Sequence, residues 1–283
     1  MDALDARAPD RPGDLTALAT PPLPVETDRV VFDLTRLWRN RNLPFGTGID
    51  RIDLAFAEDL AGRFGSRAAF VVVESLTARM LDGVSAAAFL AGLATRWRGG
   101  GPAPRARRRR FDRALWSGDD VTYVNCAHTG APLARGGLAR LDPEGRARRA
   151  IYVHDVIPID HPEFQRPGSG ARLARFLAAV AGPRTQFFAN SEATARRLDR
   201  YAGDAGWTVA PAIALRPTLA PRTRPPALDL CRAAVRELVE GARPFLLTLG
   251  TIEPRKNHAM LLHLWRAGLG ADEASPLLVV AGR

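Results

Sequence analysis

The stretch that decides the fold covers residues 245–257 and reads FLLTLGTIEPRKN. Its first five residues are apolar apart from one threonine, and they predict a buried β-strand. Gly250 and Pro254 then predict a turn. Asn257 predicts the N-cap of a following helix, because its side chain can accept hydrogen bonds from the first free N–H groups. A strand, a glycine turn and a helix start in this order are typical of the units that build parallel sheets.

Two cations lie in this turn and predict an anion site. Arg255 and Lys256 stand beside a helix start, where free N–H groups and the helix dipole favour negative charge. Lys256 is the only lysine in the chain. A compact ammonium approaches a phosphate as a point charge and is not interchangeable with a planar guanidinium. The alternative is a chance lysine on a solvated helix end.

Bulk properties set the broad class. The 283 residues leave room for two domains, at roughly 100–200 residues each. Cys126 and Cys231 have neither disulfide-framework nor zinc-site spacing, which favours reduced cytosolic thiols. The N-terminus has no secretory signal, and no apolar run approaches the ~18 residues of a membrane span. A net charge of +10 calls for an anionic partner, and by itself it does not choose among nucleotide, nucleic acid and lipid.

Alternating strands and helices predict an α/β protein with parallel sheets covered on both faces. Residues 1–28 are proline-rich and predict a disordered or loosely packed leader. The predicted layout continues with a first domain at 29–210, a linker with five prolines at 211–227, and the start of a second domain at 228–283. Predicted strands are 29–35, 68–73, 121–125, 150–153, 186–189 and 208–210; predicted helices are 49–60, 84–97, 172–180, 190–201 and 228–241.

The residues of the opening stretch carry a family resemblance. GTIEPRKN at 250–257, with the strand LLVVAGR at 277–283, resembles the opening of the C-terminal domain of GT4 glycosyltransferases. These are retaining enzymes of the GT-B type, with two Rossmann-like domains and a nucleotide-diphosphate sugar as donor. The resemblance extends back to about residue 29. It implies that Gly250, Arg255 and Lys256 bind the donor diphosphate.

The resemblance also implies that the second domain is only partly present. The family's paired-glutamate motif, which binds the ribose and the donor sugar, has no counterpart here. Activity of this chain alone is therefore in question, and a truncated, non-catalytic relative that binds a saccharide or a partner is the alternative.

A glycine pair opens the first long helix of the N-terminal domain. Residues 46–51 read GTGIDR and resemble the Thr-Gly-Ile-x-Arg segment of GT4 enzymes. Glycines allow a ligand to approach the backbone at a helix start. The resemblance assigns Gly48 to the donor side, while Asp50 stands where many relatives have glycine. An ordinary loop is the alternative reading.

Further candidates follow predicted parallel strands, where ligand crevices open in such sheets. His154 and Asp155 resemble the GT4 segment whose histidine lines the donor-sugar pocket, which makes His154 the catalytic candidate. On spacing alone, Asp155 caps a turn and His154 is a structural side chain. Ser191 and Glu192 are first a helix cap and second cleft-lining residues. His128 also follows a strand and is placed on the acceptor side.

The run of arginines from Arg105 to Arg113 reads as a solvated loop or as a contact with an anionic membrane. The latter would suit a lipid-linked acceptor and a location peripheral to the inner face of the membrane. A nucleic-acid role would need interleaved stacking aromatics, which are sparse here. We expect no nucleic-acid partner, no metal and no cofactor apart from the nucleotide-sugar co-substrate. Together these features predict a cytoplasmic glycosyltransferase of polysaccharide or lipopolysaccharide biosynthesis.

Overall fold

The computed structural model describes residues 22–74, 77–99, 101–217, 233–270, 272 and 275–282. These residues fall into two compact units, each of which is described separately below. Both contain strands and helices, and every pair of long strands except one is parallel. The protein is thus α/β with a mostly parallel sheet, an arrangement compatible with Rossmann-like folds.

The first unit contains eight strands and seven helices within the described residues. The strands are β1 (Arg29–Asp33), β2 (Ala68–Val73), β3 (Ala78–Asp82), β4 (Arg109–Arg110), β5 (Val121–Asn125), β6 (Arg148–Val153), β7 (Thr185–Ala189) and β8 (Ile213–Ala214). The helices are α1 (Thr35–Asn40), α2 (Gly48–Phe64), α3 (Gly83–Gly99), α4 (Arg113–Trp116), α5 (Ile157–Asp160), α6 (Ser169–Val180) and α7 (Glu192–Asp204).

These strands form one sheet in the order β4-β3-β2-β1-β5-β6-β7-β8. The neighbouring strands β2, β1, β5, β6, β7 and β8 pair in parallel, as expected for an α/β sheet. Strands β3 and β4 are antiparallel, and neither was predicted. Strand β3 returns directly from β2, so its short run of apolar residues at 80–81 gives too weak a pattern to be recognised in the sequence.

The strands are buried on both faces because their side chains alternate between two cores. On one side, Val30 and Phe32 of β1 pack in a cluster that includes residues of α1, α2 and α3. On the other side, Val31 packs in a cluster that includes Phe176 and Leu198 of α6 and α7. This arrangement explains the near-continuous apolar runs of the central strands, and it leaves the strand ends as the polar part of the sheet.

The predicted leader, residues 1–28, is described by the structure only from residue 22 onward, and that part is packed where a disordered or loosely packed segment was expected. Residues 1–21 lie outside the described residues, but residues 22–28 pack against the first unit. Leu23 is fully buried, and its carbonyl accepts a hydrogen bond from Arg63. Thr27 donates from Oγ1 to the carbonyl of Asp120 at 2.7 Å. The sequence did not predict these contacts, because each one joins residues that are far apart in the chain.

Two further expectations change around residue 210. The predicted strand at 208–210 is wrong, because the final strand of this sheet is β8 at Ile213–Ala214, which pairs with β7. That strand lies inside the predicted linker, so sheet pairing continues past Pro211. Residues 218–232 of the predicted linker and helix lie outside the described residues.

The second unit contains α8 (Ala233–Glu240), β9 (Phe245–Leu249), α9 (His258–Leu264) and β10 (Leu277–Ala281). Strands β9 and β10 are parallel, with Phe245 opposite Leu277. Asn257 caps α9 as predicted, since its Oδ1 accepts from the Met260 N–H at 3.3 Å. The described part of this unit has no fully buried side chain in its strands, and Leu249 is 80% exposed.

None of the helices in the described residues has both the length and the apolar character that crossing a bilayer requires.

Candidate functional site

The first unit has a reversal of strand order at β1. From β1 the chain runs outward through β2, β3 and β4, and it then returns to the other side of β1 with β5. Crevices for ligands open outside the carboxyl ends of parallel strands at such a reversal. Asp33 ends β1, Asn125 ends β5, and His154 follows β6 directly.

Asp33 is held by three hydrogen bonds at this edge. Its side chain is buried and accepts from the Tyr123 hydroxyl at 2.7 Å, the Ala131 N–H at 2.8 Å and the Thr35 N–H at 3.1 Å. Burial raises the pKa of Asp33, although these hydrogen bonds oppose the shift. The carboxyl group therefore ties β1 to β5 and to the loop after β5.

Gly130 is required by this arrangement. Its φ is +80°, which L side chains rarely adopt, and an added Cβ would lie 2.0 Å from the Asp33 carboxylate. Both the backbone conformation and the space exclude a side chain. Only glycine at position 130 therefore allows the loop backbone to approach the Asp33 carboxylate this closely.

Asn125 holds the same loop from a second side. Its Nδ2 donates to the Tyr123 hydroxyl at 2.9 Å and to the Thr129 carbonyl at 2.7 Å. Its Oδ1 accepts from the N–H groups of Ala127 and His128, both at 3.1 Å. His128 has a φ of +51°, an uncommon conformation for a residue with a side chain. Strain of this kind persists only where the surroundings impose it, as is common at functional sites.

His128 and His154 lie next to each other, with ring centroids 5.5 Å apart. His154 is buried, and its Nε2 lies 2.7 Å from the Cys126 carbonyl oxygen. The Nε2 of His128 lies 3.1 Å from the carbonyl oxygen of Tyr152. Because a carbonyl oxygen only accepts, each Nε2 carries the hydrogen and each Nδ1 is the free acceptor.

Burial is the main reason why both histidines are neutral. It lowers the pKa of His154 to about 4 and that of His128 to about 3. The predicted catalytic residue His154 is therefore uncharged near pH 7, and its N–H is engaged within the protein. The sequence placed these histidines on the same edge of the sheet, but it gave no sign of their shared burial.

The N-terminus of α2 also begins at this edge and contains Gly48. Thr47 caps the helix, and Asp50 completes a capping box by accepting from the Thr47 N–H at 2.9 Å. Asp50 also pairs with Arg36 at 2.6 Å. Burial alone would raise the pKa of Asp50, but Arg36 and Thr47 outweigh it and hold the pKa below its usual value. Gly48 itself has open space where a Cβ would lie.

These contacts give Asp50 a structural role at the start of α2. Asp50 is a structural anchor that ties α2 to α1, since Asn40 donates to its Oδ1 at 2.8 Å. Gly48 remains the predicted point of backbone approach, and no described side chain blocks it.

Asp53 lies one helical turn after Asp50 and was missed by the sequence reading. Its side chain is fully buried, and neither carboxylate oxygen has a hydrogen-bond partner among the described residues. Burial raises its pKa well above the usual value, and the nearby carboxylates of Asp50 and Asp33 add to the shift while Arg36 opposes it. The surroundings of Asp53 therefore favour its protonated, neutral form over the carboxylate. An aspartate among the apolar positions of an amphipathic helix was the available signal.

The remaining predicted residues of the first unit have local structural roles. Asp155 accepts from the Ile157 N–H at 3.1 Å, which fits the predicted turn cap. Ser191 caps α7 by accepting from the Thr194 N–H at 3.2 Å, and Glu192 is exposed in the first turn of that helix. These residues follow β6 and β7 at the carboxyl edge. Their cleft-lining roles stay predictions.

In the second unit, the predicted anion site is built on the turn after β9. Gly250 has a φ of +152°, and an added Cβ would lie 3.7 Å from Cε of Lys256. Arg255 pairs with Glu253 at 2.5 Å, whereas Lys256 is exposed and has no ion pair with a described residue. The two cations are thus not equivalent. Arg255 is already neutralised by a neighbour, and Lys256 is the available charge.

No cluster of three or more possible metal ligands occurs in the described ranges. Comparisons of the chain with protein-family models, with curated proteins and with solved structures gave no match. A functional assignment therefore depends on the chemistry of the residues described here.

We expect Gly130→Ala to destabilise the first unit by about 1–3 kcal/mol beyond its backbone cost, because the new methyl group collides with Asp33. Urea unfolding followed by circular dichroism measures the loss. Gly145→Ala is the matched control, since Gly145 also has a positive φ but has open space around it. Equal losses for both variants would contradict a constraint imposed by Asp33.

We expect His154 to make folding stability depend on pH. Its folded pKa of about 4 lies below the unfolded value, so its contribution is fully present above about pH 6.5 and is lost as the pH falls towards 4. The slope in that window is about 1.4 kcal/mol per pH unit for one proton. His154→Gln should remove this part of the slope, measured by urea unfolding between pH 7 and 4.5.

The control for this measurement is His263→Gln, at an exposed position on α9. It should leave the slope unchanged. A His154→Gln protein with the slope of the unsubstituted chain would show that His154 takes up a proton in the folded state.

Proposed function

We propose that this chain is the acceptor domain and the start of the donor domain of a GT4-like glycosyltransferase of the GT-B type. The reaction would transfer a sugar from a nucleotide-diphosphate sugar to a saccharide or lipid-linked acceptor, with retention, in polysaccharide or lipopolysaccharide biosynthesis. One observation carries the proposal: the turn after β9 presents the chain's only lysine beside Gly250, within the GTIEPRKN motif and without an ion pair to any described residue.

In this proposal, the turn after β9 acts on the leaving group. The diphosphate gains negative charge as the glycosidic bond breaks, and a cation positioned beside it lowers the barrier electrostatically. Lys256 supplies that charge directly. Arg255 would first have to exchange its ion pair with Glu253 for the phosphate, so its contribution is smaller in the free protein.

The role proposed for His154 is limited by its protonation state. Because its N–H is bound to the Cys126 carbonyl and its pKa is about 4, it does not supply a proton near pH 7. Its free Nδ1 offers a hydrogen-bond acceptor for a sugar hydroxyl. Under this proposal, Gly48 allows the backbone of α2 to approach the donor. The residues that contact the acceptor or line the cleft are His128, Asp155, Ser191 and Glu192.

The buried and hydrogen-bonded state of His154 favours a second candidate function, that of a non-catalytic relative that binds a saccharide or a partner. A buried histidine that is satisfied within the protein is compatible with binding without acid–base chemistry. The two candidates differ in turnover: a transferase releases nucleoside diphosphate from a panel of UDP-, GDP- and ADP-sugars, whereas a binding protein does not.

Location and partners belong to the same proposal. A lipid-linked acceptor would bring a cytoplasmic enzyme to the inner face of the membrane, with Arg105 to Arg113 next to anionic headgroups. No nucleic-acid partner, metal or further cofactor is proposed.

We expect the full chain to bind one of UDP, GDP and ADP selectively, and Lys256→Ala to weaken that binding about tenfold, because charged hydrogen bonds to phosphate are worth ~1.5–3 kcal/mol. Glu253→Gln should tighten it a few-fold by freeing Arg255. Isothermal titration calorimetry measures both changes. Arg266→Ala, which removes another exposed cation of the same unit, is the matched control.

Two outcomes would contradict the donor-site proposal. One is the absence of binding to all three nucleotides. The other is an equal loss of affinity in Lys256→Ala and Arg266→Ala, since this would reduce the effect of Lys256 to net charge.

A further inference from the structure

A cavity of about 790 Å³ lies beside the antiparallel edge of the first sheet. It is lined mainly by residues at the start of β3, at the end of β4 and in α4, with one arginine from a later loop: Thr77, Ala78, Arg79, Arg110, Phe111, Asp112, Arg113, Ala114 and Arg140. Its volume is in the range of small-molecule sites. Part of the arginine run that reads as a solvated loop therefore forms the wall of a concave site.

The register of β3 and β4 places two of these arginines directly opposite each other. Arg79 pairs with Arg110 across the antiparallel strands, so both side chains leave the same face of the sheet. Like charges in directly opposed positions destabilise a strand pair. Neither residue forms an ion pair with any carboxylate of the described chain. An anion between them would remove this repulsion.

The charge of the cavity is strongly unbalanced. Four arginines line it against one carboxylate, Asp112, which leaves an excess of three positive charges. That carboxylate is already used within the protein, because Oδ1 of Asp112 caps α4 by accepting from the Ala114 N–H at 3.0 Å. The cavity therefore presents an excess of positive charge that the one carboxylate of its lining does not balance.

A second cavity of about 270 Å³ extends the positive surface along the carboxyl ends of the strands. Its lining includes four further arginines that are exposed and have no ion pair with a described residue: Arg39, Arg135, Arg172 and Arg175. Glu74 also lines it, but its carboxylate is paired with Arg108 at 2.7 Å. Gly130 lies at its wall, next to the Asp33 network.

Arg140 joins the two cavities. It lines the first, and it donates to the backbone carbonyls of Glu74 and Arg135, two residues that line the second. We call the two cavities together the arginine track. It reaches from the edge strand β4 to the loop of Gly130, so it suits a ligand with several separated negative charges better than a single small anion.

We propose that the arginine track binds an extended organic anion, with phosphate or carboxylate groups repeated along its length. Guanidinium groups bind both oxyanions through paired hydrogen bonds. Under the proposed function, this ligand is the acceptor saccharide, bearing phosphate or uronic-acid groups. The saccharide identity rests on that function, whereas the anion binding stands on the cavities alone.

Two other classes of anion fit the track less well. A membrane surface is flat, whereas these arginines line concave cavities. Single-stranded nucleic acid binds by stacking its bases on aromatic side chains. Phe111 is the only aromatic residue in the two linings, and it is buried in the core.

The test measures binding of the full chain to tripolyphosphate, trigalacturonate and neutral maltotriose by isothermal titration calorimetry. We expect the two anions to bind and maltotriose not to bind. The double variant Arg79→Gln, Arg110→Gln should weaken anion binding about tenfold or more. The double variant Arg105→Gln, Arg107→Gln removes the same amount of charge from the run that contains Arg110, but outside both linings, and should change anion binding less than about twofold.

Thermal unfolding at low salt shows whether the first double variant is folded. Removing the opposed charges should raise its Tm in the absence of anions, while the control variant keeps the Tm of the unsubstituted chain. Binding of tripolyphosphate alone would assign the track to phosphate groups, and binding of trigalacturonate alone would assign it to carboxylates.

The proposal is overturned if neither anion binds, or if both double variants lose affinity equally. It is also overturned if the chain binds only phosphatidylglycerol vesicles or a DNA duplex. Failure of nucleotide binding at Lys256 leaves the anion result untouched, so the two proposals fail separately.

Discussion

The buried carboxyl group of Asp33 is the constraint on which the carboxyl edge of the first sheet depends. It receives hydrogen bonds from Tyr123 on β5 and from Ala131 in the following loop. A buried carboxyl group without such partners would be costly, so the strand end and the loop must keep this geometry. The glycine at 130 and the strained backbone at His128 are local consequences of the same demand. The candidate site is therefore a rigid feature of the sheet, in contrast to a mobile loop.

Much of the first unit could be predicted from its sequence because its strands are buried on both faces. The strands at 68–73 and 121–125 match β2 and β5 at both ends, since uninterrupted apolar runs bounded by polar residues mark them clearly. The N-cap at Asn257 was also predictable, because capping depends only on residues within one turn. The antiparallel pair β3 and β4 was not, since Arg109 and Arg110 carry no apolar pattern and join the sheet through register alone.

The same contrast holds for the candidate site: positions set by local sequence could be predicted, whereas contacts made in the folded chain could not. Sequence motifs placed His154, Ser191 and Glu192 near strand ends, and the sheet does bring their segments to one edge. They could not reveal that the Cys126 carbonyl occupies the N–H of His154, or that Glu253 neutralises Arg255. Asp53 was missed for a different reason: an aspartate on a helix normally faces solvent, so its place among the apolar positions of α2 is a weak signal until packing shows its burial. A single sequence does not show which partner each polar side chain contacts in the folded protein.

The paired neutral histidines have an electrical consequence. Because His128 and His154 hold no charge above about pH 5, the potential at the carboxyl edge comes from other groups, such as the Arg36–Asp50 ion pair. A change from mildly acidic to mildly alkaline conditions therefore does not alter the contribution of these two histidines to the field at a ligand there. The two histidines are thus part of the fixed, uncharged frame of this edge of the sheet, although histidine is the residue type that most often titrates near neutrality.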